Sequence, residues 1–147
     1  MKVYAPTEGK LIDITEVKDP VFSDKVIGDG MAISPTDDLV CSPIEGTIET
    51  IFPTNHAFIV KSGSGIQVLV HIGLDTVELK GKPFTRLKNV GNKVKSGEPI
   101  IKSNYKLILK NKLDPTVIVV VSNYQLKNKS EIDKNYKIGD IIFEVAD

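Results

Sequence analysis

The amino-acid sequence predicts an all-β domain, because its apolar segments are short and rich in β-branched residues. Clusters of Gly, Pro, Asn and Asp separate these segments, which include residues 46–51, 66–70 and 116–121. The run Val117–Val121 is apolar at every position, as is typical of a strand covered on both faces. Only residues 105–112 show the apolar spacing of a short helix. We therefore expect an antiparallel β-sandwich with few short helical turns.

Two pairs of similar turns indicate that the fold is built from duplicated pieces. Residues 5–9 and residues 42–46 are both Pro-x-Glu-Gly turns that precede an alternating apolar strand. Residues 95–100 and residues 137–142 are both Gly-acid turns that lead into an apolar strand. Such turns are common in β proteins, so coincidence is the alternative explanation.

Composition limits the possible classes of function. The 147 residues contain 19 Lys and Arg and 19 Asp and Glu, so the net charge of zero gives no bulk attraction to nucleic acid or to an anionic membrane. The single Cys41 cannot form an internal disulfide, and no apolar run has the length of a signal sequence or a membrane span. No linker divides the chain. We expect one domain, residues 1–147, in a reducing cytoplasm.

The two histidines are the first candidates for a functional site. His71 ends an apolar strand and shares a strand face with Gln67 and Leu69, while His56 lies between a turn and a strand. A hairpin across residues 62–65 would bring His56 back beside His71. The two imidazoles would then share one site, although each histidine is alternatively an ordinary surface or structural residue.

Such a pair of histidines suits phosphoryl transfer without a metal. A neutral imidazole is a good nucleophile near neutral pH, and a second imidazole can hydrogen-bond to phosphoryl oxygens. The hydroxyl of Thr54 is placed to hold a ring nitrogen of His56. Gly73 would let backbone N–H groups approach a phosphoryl oxygen, and we expect the backbone at Gly73 and Asp75 to bind the phosphoryl group. Asp75 adds a negative charge that opposes phosphate binding unless it serves orientation, and it is alternatively a turn or cap residue.

The segments around both histidines resemble the glucose-class IIA family of the bacterial sugar phosphotransferase system. The motif Phe-Pro-Thr-Asn-His-Ala-Phe at residues 52–58 and the segment 70–79 show the resemblance most clearly. It continues in order through three further segments, which are 22–35, 43–46 and 91–97. The resemblance implies a β-sandwich of the duplicated hybrid motif type, with an active site in a shallow depression.

The resemblance also implies a role for each residue of the site. His71 would accept a phosphoryl group on Nε2 from the phosphorylated histidine phosphocarrier protein and donate it to a cysteine of a sugar-specific IIB domain. His56 would stabilise the phosphoryl group, Thr54 would orient His56, and Asp19 and Asp75 would flank the site. No cofactor is required, and zinc between the two histidines would be adventitious or dependent on a partner.

Five apolar residues correspond to positions that surround the active site in the family, namely Phe22, Val26, Ile27, Phe52 and Leu69. An exposed apolar ring is what transient docking requires, with an interface below about 1,200 Å² and a monomeric carrier. Each residue is alternatively part of the core. The Lys-rich stretch from Lys102 to Lys112 is more basic than expected of the family. We interpret it as a solvated face and not as a binding patch, and its effect on partner choice is open.

Three other functions deserve comparison. The spacing of His71 and Asp75 matches two ligands of a zinc metallopeptidase, but with two histidines in the chain a third ligand would have to be an unsupported carboxylate. A lipoyl or biotin carrier domain would need a lysine at a hairpin apex, which the sequence does not offer. A regulatory binding protein switched by phosphorylation of His71 remains the open alternative. The sequence does not identify the sugar or the regulatory partners.

Overall fold

The computed structural model describes residues 1–122 and 124–146 and contains three antiparallel sheets. The strands are β1 (Lys2–Tyr4), β2 (Gly9–Asp13), β3 (Asp29–Pro35), β4 (Leu39–Cys41), β5 (Gly46–Ile51), β6 (Ala57–Lys61), β7 (Gln67–Ile72), β8 (Phe84–Arg86), β9 (Lys93–Val94), β10 (Pro99–Ser103), β11 (Val117–Val121), β12 (Leu126–Lys127), β13 (Asn135–Tyr136) and β14 (Ile141–Val145). The helices in this part of the chain are α1 (Pro20–Ser23), α2 (Tyr105–Lys110) and two 3-10 turns, Ile14–Glu16 and Thr76–Leu79.

One large sheet positions the histidines. Its eight strands follow the order β13-β2-β3-β11-β7-β6-β5-β9, and the two smaller sheets follow the orders β1-β14-β12 and β4-β10-β8. Every strand pair is antiparallel. The predicted all-β antiparallel fold is confirmed, and α2 confirms the predicted short helix.

The duplicated turns have matching hydrogen bonds. In each of the turns 95–98 and 137–140, the first N–H donates to the carboxylate of the last residue, at 3.0 and 2.8 Å. The carbonyl of that last residue then accepts from the N–H of Ser42 in one turn, at 2.8 Å, and of Ala5 in the other, at 2.7 Å. Because residues 5 and 42 begin the two Pro-x-Glu-Gly turns, both predicted pairs of turns belong to one repeated arrangement.

Strand β11 separates two clusters of apolar side chains. Successive side chains of a strand point to opposite faces, so the odd-numbered valines of β11 lie in the main core and Ile118 and Val120 lie on the other face. All five residues are buried, which confirms that both faces are covered. The second cluster consists of Ile14, Val17, Phe22, Ala32, Leu74, Ile118 and Val120. Residues 14–22 therefore cover part of the sheet face that holds His71.

A close approach of two strands makes Gly30 necessary. A Cβ added at Gly30 would lie 1.8 Å from the carbonyl oxygen of Val119, a backbone atom of the paired strand β11. We expect Gly30→Ala to lower the free energy of unfolding by about 3 kcal/mol or more, because the two strands would have to separate. Chemical denaturation measures this change. Gly63→Ala is the matched control, since a Cβ there has open space, and equal stability of the two variants would contradict the prediction.

Candidate functional site

The hairpin of β6 and β7 brings the two histidines together. Ala57 pairs with His71, and the N–H of Ile72 donates to the carbonyl of His56 at 2.7 Å. The two ring centroids lie 5.1 Å apart with an angle of 81° between the ring planes. The predicted hairpin and the predicted neighbourhood of the imidazoles are thus both present.

Alternation along β7 sets the exposure of His71. Val68, Val70 and Ile72 are buried in the main core, whereas Gln67, Leu69 and His71 are half-buried on the opposite face. Strand β11 on one side and β6 on the other hold the backbone of His71. The nucleophile candidate therefore lies on a central, fully paired strand.

Each imidazole has an aromatic neighbour. The ring of Phe22 lies 5.0 Å from that of His71, and the ring of Phe52 lies 5.4 Å from that of His56 in an edge arrangement. His56 is only 8% exposed. The aromatic rings shield part of each imidazole from water.

The expected apolar docking ring needs one correction. Phe22 is 4% exposed and belongs to the second apolar cluster, so it supports His71 instead of offering a free surface. Val26 and Ile27 are exposed by 72% and 39%, and Phe52 and Leu69 are half-buried. Four of the five predicted residues are thus accessible, at least in part.

Thr54 holds the ring of His56. A hydrogen bond joins Thr54 Oγ1 to His56 Nδ1, as the sequence predicted. Because a hydroxyl can donate or accept, Thr54 is compatible with the tautomer of His56 that presents Nε2–H and with the imidazolium. The guanidinium of Arg86, which the sequence analysis missed, donates to Asn55 Oδ1 at 3.0 Å and so fixes the same turn.

The two ring nitrogens of His71 differ in access. Nδ1 is fully shielded from solvent and has no hydrogen-bond partner among the described residues. The backbone of Gly73 nevertheless interacts with the ring strongly enough to raise its pKa. Since Nδ1 is shielded and the side chain is only half-buried, Nε2 is the nitrogen left for chemistry.

Burial keeps both histidines neutral. The pKa of His71 is lowered to about 4, first by desolvation and then by the neighbouring His56, against the opposite effects of the Gly73 backbone, Asp19 and Asp75. Desolvation also lowers the pKa of His56. At neutral pH both rings are therefore unprotonated at one nitrogen, as a nucleophile requires.

The prediction that the N–H of Gly73 donates a hydrogen bond to the phosphoryl group also needs a correction. Its N–H donates to the carbonyl of Thr116 at 2.8 Å and is engaged inside the protein. The residue is required for a different reason: its φ is +79°, and a Cβ would lie 2.4 Å from the Thr76 side chain. Asp75 is exposed and also has a positive φ, of 58°. Its role in phosphoryl binding stays a prediction.

The acidic pair flanks His71 as expected. Asp19 caps α1, accepting the N–H of Val21 at 3.0 Å, and both Asp19 and Asp75 are close enough to raise the pKa of His71. Two exposed apolar residues that the sequence analysis missed, Val21 at 43% and Val77 at 51%, each follow one of these carboxylates by two positions. Their equal distance in sequence from Asp19 and Asp75 was the feature of the sequence that could have indicated these two residues.

A metallopeptidase site needs at least three ligands. No group of three His, Cys, Asp or Glu side chains with metal-binding geometry occurs in residues 1–122 and 124–146. Within the same residues, no helix is long and apolar enough to cross a membrane.

The fold and the site together define a β-sandwich domain with a site of two neutral, aromatic-flanked histidines. Comparison with known proteins gives the family. Residues 1–126 match the family model described as phosphoenolpyruvate-dependent sugar phosphotransferase system, EIIA 1. The chain therefore belongs to this family of phosphotransferase components.

Several relatives support that assignment. The glucose-specific EIIA component of Staphylococcus epidermidis is 42% identical over 123 residues, covering 84% of this chain and 74% of that protein. The glucose-specific EIICBA component of Streptococcus pneumoniae is 39% identical over 133 residues, covering 90% of this chain and 18% of the relative. The solved structure of glucose permease IIA from Mycoplasma capricolum matches with a TM-score of 0.88 and 33% identity, over 97% of this chain and 94% of that one.

The lowered pKa of His71 links stability to pH. In the unfolded chain a histidine takes up a proton near pH 6.5, but folded His71 does so only near pH 4. Between these values the unfolded state binds more protons, so stability falls as the pH falls, by about 3 kcal/mol in total. We expect denaturation of wild type and His71→Gln to show this difference in slope between pH 6.5 and 4. Parallel slopes would contradict it.

Proposed function

We propose that the chain carries a phosphoryl group on His71 Nε2 between proteins of a sugar phosphotransferase system. The observation that supports this most directly is the pair of neutral imidazoles, 5.1 Å apart, in which only the Nε2 side of His71 is free. Membership of the EIIA family supports the same role. The donor would be the histidine phosphocarrier protein and the acceptor a cysteine of a IIB domain.

Each transfer exchanges one bond to phosphorus for another. In the first step the P–N bond of the donor phosphohistidine breaks, a P–N bond to His71 Nε2 forms, and the donor imidazole leaves with the electron pair. In the second step this P–N bond breaks, a P–S bond to a IIB cysteine thiolate forms, and His71 returns to neutral imidazole. Neither step consumes a nucleotide or a cofactor. Catalysis then depends on position and charge stabilisation, as is general for phosphoryl transfer.

His56 is the residue that stabilises the transferring group. With Nδ1 fixed by Thr54, the edge of the ring that holds Nε2 is directed away from that hydroxyl and is available to the shared site. A hydrogen bond from His56 Nε2–H to the phosphoryl oxygens would become stronger as negative charge develops on these oxygens. The added charge would also raise the pKa of His56, so that the imidazolium becomes accessible in the phosphorylated state.

The acidic pair favours departure of the phosphoryl group. Asp19 and Asp75 act on His71 through their negative charge, and the same charge repels a phosphoryl dianion on Nε2. This repulsion destabilises the phosphorylated protein relative to the product of the second transfer. The exposed Val26 and Ile27, with the half-buried Phe52 and Leu69, would give partners a small apolar contact of the size that permits rapid dissociation.

The fused EIICBA relative from S. pneumoniae supports a IIB partner, because its name joins IIA with IIC and IIB in one chain. The relatives named above are glucose-specific, and we extend to this chain only the transfer chemistry. The carrier would act as a cytoplasmic monomer, and any zinc between His56 and His71 would require a ligand from a partner.

The direct test is phosphoryl acceptance. The protein is incubated with phosphoenolpyruvate, the general phosphotransferase enzyme and the histidine phosphocarrier protein, and intact masses are compared. We expect one acid-labile phosphate on wild type and on His56→Ala, and none on His71→Ala. His56→Ala should pass its phosphate to a IIB domain at least about 100-fold more slowly, since it lacks a charge-stabilising donor. Phosphate on His71→Ala, or none on wild type, would overturn the proposal.

The contribution of Thr54 is separately measurable. Thr54→Val removes the hydroxyl that fixes His56 Nδ1 but preserves the shape of the side chain. We expect acceptance at His71 to persist and the rate of transfer to a IIB domain to fall about tenfold, the effect of losing one orienting hydrogen bond. Thr54→Ser keeps the hydroxyl and is the control. If both variants transfer at the wild-type rate, Thr54 has no role in orienting His56.

A further inference from the structure

The neutral chain has strongly separated charges. Residues 80–112 contain ten Lys and Arg but one acidic residue, Glu98, which gives this segment a net charge of +9. The rest of the chain contains nine basic and eighteen acidic residues and has a net charge of −9. The zero net charge of the whole molecule therefore conceals a basic region that the proposed phosphoryl transfer does not use.

The fold concentrates part of this charge around two adjoining clefts. One cleft, of about 580 Å³, is lined by Glu78, Leu79, Lys80, Lys82, Leu107, Lys110 and Asn111. The other, of about 320 Å³, is lined by Asp38, Lys82, Pro83, Thr85, Lys102 and Asn104. Lys82 lines both clefts, and Lys106 lies one turn before Lys110 on the same side of α2. We call Lys80, Lys82, Lys102, Lys106 and Lys110 the lysine face.

The charges of the lysine face are not neutralised within the protein. All five side chains are exposed, and none forms an ion pair with another described residue. Elsewhere lysines do pair, as Lys25 and Lys129 do with Asp29. Two carboxylates, Glu78 and Asp38, lie at the clefts and reduce the local charge without removing it. The lysine face therefore has a positive potential available to an external anion.

The chemistry of the face suits a fluid anionic surface. Its charged groups are flexible ammonium groups, which act as point charges and do not impose the two-pronged geometry of arginine. Leu109, which lies on α2 three residues after Lys106 and directly before Lys110, is 52% exposed and gives an apolar side chain beside the charges. Mobile cations with an adjacent exposed aliphatic residue match the headgroup layer of a bilayer better than a single rigid ligand.

We propose that the lysine face binds the headgroups of an anionic phospholipid membrane, weakly and reversibly. Each lysine near such a surface adds a modest attraction that salt screens, so binding depends on the number of charges. The clefts share no lining residue with the histidine site. The phosphoryl-transfer proposal does not enter this inference, and either one can fail alone.

Co-sedimentation with vesicles tests the proposal. The full chain is mixed with vesicles of phosphatidylcholine alone or with phosphatidylglycerol added. We expect binding only to the second kind, and its loss in about 1 M NaCl, where the Debye length is about 3 Å. The triple variant Lys82→Gln, Lys102→Gln, Lys110→Gln should bind at least about tenfold more weakly. A matched control is Lys2→Gln, Lys127→Gln, Lys137→Gln, which removes equal charge from exposed positions elsewhere and should bind within about twofold of wild type.

Four results would overturn the inference. Equal binding to both kinds of vesicle, or no binding to either, would exclude an anionic membrane surface. Equal weakening by both triple variants would show a response to net charge alone. Competition by inorganic phosphate at constant ionic strength would assign the clefts to a small anion. Chemical denaturation of the same variants separates a folding defect from a surface effect, because the exposed lysines form no ion pairs among the described residues and both triple variants should unfold as wild type does.

Discussion

The pairing register of β6 and β7 is the constraint on which the site depends. Ala57 opposite His71, together with the bond from Ile72 N–H to His56 O, sets the distance between the two imidazoles. A shift of one residue would turn His71 into the main core and Leu69 with it, because side chains alternate along a strand. Burial of Val68, Val70 and Ile72 therefore specifies the register and keeps His71 on the opposite face of the sheet, beside His56.

Burial of the imidazoles joins stability to reactivity. Removing water from His71 keeps it neutral and nucleophilic, but the cost appears as acid sensitivity of the folded state. Phe22 illustrates the connection: it fills the second apolar cluster and at the same time packs on the His71 ring. A residue placed in this way serves the core and the site together, so its loss would change both.

The sequence was sufficient for features that follow from local pattern. The alternation around His71, the two-faced burial of Val117–Val121 and the hairpin that joins the histidines were all predictable from periodicity and turn residues. Periodicity could not predict which individual donors are already hydrogen-bonded or which side chains are covered by distant parts of the chain. The N–H of Gly73 is already bound to Thr116, and Phe22 is covered by residues distant in sequence. Composition and residue spacing do not indicate which N–H groups are already hydrogen-bonded or which aromatic rings are buried.

The uneven distribution of charge was missed for a different reason. A net charge of zero is a sum over the chain, and it excludes only attraction that depends on the whole molecule. The acidic residues beside His71, Asp19 and Asp75, belong to the negative part of the sequence, whereas the lysine face belongs to the positive segment 80–112. Opposite charges in these two parts of the molecule favour different partners, because each part repels what the other attracts. In the proposed arrangement, the lysine face would meet the anionic bilayer, and the acidic residues beside His71 would meet the partners of phosphoryl transfer.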